Sequence, residues 1–104
     1  MVVELRKLSK GPHKYSATFW NETGKKIKTV VFGARGYSDF LHHKDPERKK
    51  LYILRHRARE KWNRSAGKYT AGFWSRWLLW SEPTFTRALR LTESKVGEKI
   101  IYKR

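Results

Sequence analysis

Apolar and polar positions divide the chain into a strand-like first third, a helical middle and a mixed end. Residues 2–8 are apolar with polar interruptions and read as a short strand, closed by Gly11-Pro12. Residues 15–20 alternate, with Tyr15, Ala17 and Phe19 on one face and Ser16, Thr18 and Trp20 on the other. Asn21-Glu22-Thr23-Gly24 is turn chemistry, and residues 27–32 are β-branched and apolar. Residues 15–32 therefore predict a β-hairpin. Gly33-Ala34-Arg35-Gly36 ends the second strand, and residues 37–44 read as a loop with one irregular turn.

Asp45-Pro46-Glu47 opens a helix. Asp45 suits the N-cap, Pro46 the first helical position, and Glu47 complements the helix dipole. The helix is expected to reach about Trp62. Winding at the α-helical period brings Leu51, Leu54, Ala58 and Trp62 together as a core stripe. Arg48, Arg55 and Arg59 flank it beside Tyr52, and Lys50, Arg57, Lys61 and Arg64 lie on the other side. Residues 65–70 read as a linker. Residues 71–80 predict a second helix with Phe73, Trp77 and Trp80 on one face and Trp74 and Leu78 beside them. Ser81-Glu82-Pro83 breaks it. A third helix is expected from Thr84 to about Lys95, with Phe85, Ala88, Leu89 and Thr92 inward and Gly97 as its stop. Residues 99–102 are a candidate last strand. The fold class is α+β: one domain, residues 1–104, in which a small antiparallel sheet packs against two to three helices.

Charge changes this picture most. The chain carries 25 Lys plus Arg against 9 Asp plus Glu, a formal charge of +16. Self-repulsion on that scale opposes compact folding, so a polyanionic partner is its natural physical explanation. The cations are interleaved with hydrophobic residues, and aromatics make up 14%, including five Trp. That is the composition of a folded basic domain and unlike a disordered basic arm. With no cysteine, disulfides, thiolate metal sites and a Cys nucleophile are excluded. Residues 1–10 lack the apolar core of a signal peptide, and no apolar run approaches a membrane span. Secretion is therefore not expected.

Four features are candidates for function. The basic helix suits phosphate contact, because the Arg guanidinium donates two parallel hydrogen bonds; the alternative is a solvated charged face. In the loop Phe32-Gly33-Ala34-Arg35-Gly36-Tyr37-Ser38-Asp39, two glycines allow either an anion-binding nest or simply a turn with positive φ. Arg35 is the residue expected to reach outward from it. The loop lacks the Lys-Ser/Thr ending of a nucleotide-binding phosphate loop. The aromatic run over residues 73–80 suits base stacking or a core. Here Trp62, Phe73, Trp77 and Trp80 are expected as core anchors, and Trp74 and Trp20 as the exposed ones, with Arg76 on the opposite side joining the basic surface. Finally, Asp39, His42, His43 and Asp45 are close in sequence, as in metal-dependent nucleases. Adjacent histidines point different ways on regular structure, however, and no second acidic cluster accompanies them. Loop hydrogen bonding is the plainer reading, with His56 a further phosphate-side candidate.

Three segments together carry a resemblance: Phe32-Gly33-Ala34-Arg35-Gly36-Tyr37-Ser38-Asp39-Phe40; then His43-Lys44-Asp45-Pro46-Glu47-Arg48-Lys49 with Tyr52, Arg55-His56, Arg59-Glu60 and Trp62; then Ala71-Gly72-Phe73-Trp74-Ser75-Arg76-Trp77-Leu78-Leu79-Trp80. Over residues 31–84 the chain is similar to a family of small basic proteins of large nucleocytoplasmic DNA viruses and some algal genomes. That family has no established activity, so the resemblance implies a setting: the virion, or the host nucleus or cytoplasmic viral factory, where a basic protein compacts the genome or lines a capsid.

The resulting expectation is a non-enzymatic, chromatin-like protein without metal or cofactor. It binds double-stranded DNA mainly through phosphates and with weak sequence preference. Its contacts are expected at Arg35, Lys44, Arg48, Lys49, Arg55, Arg59, Arg64 and Arg76, with Lys25, Lys26 and Lys28 at the hairpin tip extending the footprint. Alternative partners are RNA and capsid proteins, the latter for a minor structural component of the virion. A homodimer through the hairpin edge or Trp74 is a further expectation.

Overall fold

A computed structural model describes residues 1–103, apart from the side chain of Ala66. Strands β1 (Val2–Lys7), β2 (His13–Trp20) and β3 (Lys26–Ala34) form an antiparallel meander. The last strand, β4 (Lys99–Lys103), pairs with β1, giving the order β3-β2-β1-β4. It runs parallel to β1, with Val3 opposite Ile100 and Leu5 opposite Tyr102. The sheet is therefore mixed, whereas the sequence reading made it antiparallel. A strand that returns after a helical layer enters from the other end, which a hairpin rule does not anticipate. The α+β class stands.

Alternation along the strands sends Val3, Leu5, Tyr15, Ala17, Phe19, Val30, Phe32 and Ile100 into one core beneath the helices. The opposite face of the sheet is open, with Val31 and Ile101 substantially exposed and Thr18 hydrogen-bonded to Thr29 across the strands. The hairpin turn is held by Asn21, whose side chain accepts from the backbone N–H of Thr23 and Lys25.

The helical layer begins with α1 (Phe40–His43), a single turn capped by Asp39. It fills the segment expected as a loop with one irregular turn. Asp45 and Pro46 then start α2 (Pro46–His56) as expected, but the helix stops six residues before Trp62. A short turn, α3 (Arg64–Gly67), leads to α4 (Ala71–Trp74), which continues as a π-helical turn over Ser75–Leu79. Thr84 and Gly97 cap α5 (Phe85–Val96) at its two ends.

The π turn reverses the expected order of the aromatics. Its wider winding places Trp74, Leu78 and Leu79 on one inward face, all nearly or fully buried, while Trp77 and Trp80 are half-buried. Trp74 meets Phe19 and Phe32 and donates its indole N–H to Lys68 O at 2.8 Å. It is the largest fully buried side chain, where the α-helical period had placed it outside.

Candidate nucleic-acid interface

The inner face of α2 is set by Tyr52, with Lys49, Ile53 and His56 partly buried around it. Leu51 and Leu54 are 55% and 48% exposed, and Ala58 is exposed, so the stripe expected in the core faces solvent. The reason is aromatic: the Tyr52 ring stacks on Trp80 at 4.3 Å with 3° between planes, and His56 stacks on its other side at 4.2 Å. Burial pushes the Tyr52 hydroxyl pKa well up. One flat aromatic contact on a narrow helix outweighs two leucines.

This rotation leaves Arg48, Lys50, Arg55, Arg57 and Arg59 exposed on the solvent side of α2 and the turn behind it. None of the five has a carboxylate partner among the described residues. Ion pairing of Lys and Arg with carboxylates there is confined to Arg6, Lys14, Lys68 and Arg87. Arg55 and His56 also border a cleft of about 410 Å³ whose other wall includes Gly33, Ala34, Tyr37 and Ser38. The cations at the C-terminal end of α2 complement its dipole, so they stabilise the helix as well as charging it.

Five of the expected contact residues stand elsewhere. Arg35 does not reach outward: its Nε donates to Gly11 O at 2.7 Å, and its Nη2 to Leu8 O and His13 O. Lys44, which adopts φ 54°, donates to Leu41 O and Pro83 O, both at 2.6 Å. Lys49 lies over the Phe40 ring and donates to Ser81 O, and desolvation with Arg76 nearby lowers its pKa. Arg64 donates to Ser94 O and Lys95 O, serving the C-terminal carbonyls of α5. Arg76 does not join the basic surface. It is half-buried between Trp62 and Trp77, 4.4 Å from the latter's ring centroid, and donates to Trp80 O. Arg35, Lys49 and Arg64 donate to backbone carbonyls more than twenty residues away, which no local pattern announces, while Arg76 is turned inward by the two indole rings beside it. Lys25, Lys26 and Lys28 are exposed at the hairpin tip, as expected.

The polar cluster before α2 is bound into the fold. Asp39 is 2% exposed, accepts from Lys14 Nζ at 2.7 Å, lies 2.9 Å from His42 Nδ1, and caps α1. The backbone N–H of Asp45 donates to His43 Nδ1. Lys14 was missed in the sequence reading, since no rule pairs it with a carboxylate 25 residues away. His56 bonds to Tyr52 O of its own helix, turned from the phosphate side. Both glycines of the preceding loop have positive φ, 77° at Gly33 and 94° at Gly36. At Gly33 a Cβ would also meet Leu79 at 2.9 Å. Among the described residues no group of three or more His, Asp or Glu could hold a metal ion, and no helix is long and apolar enough to cross a membrane.

Neither a curated protein nor a solved structure matches the chain significantly. One family does: residues 3–56, which span β1 through the end of α2 and just over half of the chain, match the model of a family of unknown function (DUF5754). The glycine loop, the capped start of α2, Arg48 and Arg55 lie within that match, Arg57 and Arg59 just beyond it, and the protein belongs to this family.

Proposed function

We propose that the protein is a non-enzymatic binder of double-stranded DNA, acting on phosphates through the solvent side of α2. The observation that carries this reading is the set of exposed, carboxylate-free side chains Arg48, Arg55 and Arg59, backed by a formal charge of +16. Guanidinium groups held along α2 and the turn behind it meet phosphates without reading bases, so sequence preference is weak. Lys25, Lys26 and Lys28 extend the footprint along a β-ribbon. Compaction of a packaged viral genome is the role that fits a protein of this charge and the viral resemblance of residues 31–84.

The test is a salt titration of binding to a short random-sequence duplex. If six to ten phosphates are contacted, affinity falls by about 10³–10⁵ between 50 and 200 mM salt. Binding that hardly responds to salt overturns the proposal. A second reading draws on the exposed Leu51 and Leu54 beside Arg48 and Arg55. Apolar side chains within a cationic rim also suit a structural role against an acidic protein surface in a virion. That role predicts poor binding to free duplex.

A further inference from the structure

A second cationic site lies away from the outer face of α2. A cavity of about 620 Å³ opens between the ends of β1 and β2, the Gly33–Gly36 loop and the start of α5. Three of the cations that line it, Lys7, Arg35 and Lys44, have no carboxylate partner among the described residues, while Lys14 is paired with Asp39. The carbonyls that hold Arg35 and Lys44 are neutral, so they position these groups without cancelling their charge. Donors also remain. Arg35 Nη1 has no partner among the described residues, Lys44 Nζ uses two of its three N–H bonds, and Lys7 is exposed and unbonded there.

Two further observations point into the same space. Thr84 and Phe85, at the N-terminus of the twelve-residue α5, line the cavity, and the first turn of α5 contains no acidic residue. Thr84 caps one N–H of that turn, but no acidic side chain within it offsets the positive end of the dipole. Tyr15 also lines it, is 9% exposed, and has no hydrogen-bond partner for its hydroxyl among the described residues. The Tyr15 ring is held between Phe32 and Phe85, at 5.7 and 6.0 Å. Its oxygen is not among the side-chain atoms sealed without a partner, which are His43 Nε2, Trp62 Nε1 and Arg76 Nε. The hydroxyl therefore reaches the cavity. Burial, with Tyr102 and Asp39 facing it, pushes its pKa up to about 12, so at neutral pH it is an O–H donor. Phe85, Tyr102 and Leu41 supply apolar wall.

We propose that this cavity binds the phosphomonoester of a nucleotide, with the phosphate among Lys7, Lys44, Arg35 and the start of α5, and the base against Phe85 and Tyr102. The volume suits one nucleotide and is too small for a duplex to lie in. A monoester carries nearly two negative charges where a backbone diester carries one, so this site prefers a free nucleotide or the 5′-phosphorylated end of a strand. The site is independent of duplex binding through α2, and either can fail without the other.

The test is calorimetric titration of the full chain at fixed ionic strength with adenosine 5′-monophosphate and with adenosine. Saturable one-to-one binding of the monophosphate is expected, at least about tenfold tighter than adenosine. K7A is expected to weaken it by about five- to tenfold, and Y15F by several-fold, with the thermal midpoint of each variant confirming that it folds. Equal binding of the two ligands, no binding of the monophosphate, or binding untouched by both variants overturns the proposal. Two single-stranded oligonucleotides that differ in a 5′-phosphate then separate the sources. A preference for the phosphorylated strand that Y15F removes marks strand ends as ligands, and equal binding of the strands marks the free nucleotide.

Discussion

The solvent side of α2 and the inner carbonyl sites use the same residue types for opposite purposes. Arg48, Arg55 and Arg59 end in solvent, whereas Arg64 ends on backbone carbonyls of α5 and Arg76 on the carbonyl that closes its own π turn. The first group is free to exchange water and counterions for phosphate. The second satisfies carbonyls that would otherwise lack donors, above all at the C-terminus of α5 and around Trp80. A high formal charge therefore overstates the binding surface, because part of it is structural.

The largest effect that sharpens this contrast is on binding. Replacing Arg48, Arg55 and Arg59 together by Ala is expected to lower duplex affinity about 10²-fold and to reduce the salt slope by about 3. Unfolding free energy should change by no more than about 1 kcal/mol, since nothing buried is lost and only the interaction of Arg55 with the α2 dipole goes. Unchanged affinity in a gel-shift titration breaks the contrast. Arg76→Ala is expected to do the reverse, costing about 2–3 kcal/mol in urea unfolding through the lost Trp62 and Trp77 contacts and the bond to Trp80 O. Its salt slope should match that of the parent chain. Arg35→Ala is expected to cost about 1–2 kcal/mol, since its acceptors lie near the surface and water can replace part of the bonding.

The smallest effect is on pH dependence. Burial, with the charge of Arg48 nearby, lowers the pKa of His43, while Asp45 and Asp39 oppose the shift. The Asp45 N–H occupies Nδ1 as acceptor, and Nε2 is sealed without a partner, so the folded ring resists a second proton. The unfolded chain takes up that proton near pH 6.5. Stability from this group is thus present above that pH and declines as pH falls toward 5. Thermal midpoints measured from pH 7 to 5 should fall less steeply in His43→Gln than in the parent.

What was legible in the sequence obeyed local rules. Asn21 and Gly24 mark the hairpin turn, Asp45-Pro46 the start of α2, and Thr84 and Gly97 the two ends of α5, because each acts within a few residues of itself. The faces of the helices were less legible. The winding of α2 is decided by Trp80, far along the chain, and that of the aromatic run by a π turn that no fixed period anticipates. The candidate site divided in the same way. Exposed cations on regular elements were readable, and those turned onto distant carbonyls were not. The alternation puts Tyr15 on one face with Ala17 and Phe19, the face that proves to be buried, but nothing in its neighbours announces that its hydroxyl ends in a cavity.

The pairing of β1 with β4 has a consequence for how the protein is made. The meander and α2 form from contacts close in sequence, but one edge of β1 stays open until β4 arrives from beyond α5. Closing that edge joins segments from opposite extremes of the described chain, the kind of non-local step that slows folding. The segment shared with the family, residues 3–56, lacks β4, Phe73, Trp74, Leu78 and Val96, so by itself it leaves the inner face of the sheet bare. A nascent chain passes through that stage with a sticky strand edge exposed, and mutual repulsion between highly cationic copies keeps such intermediates apart until the last strand docks.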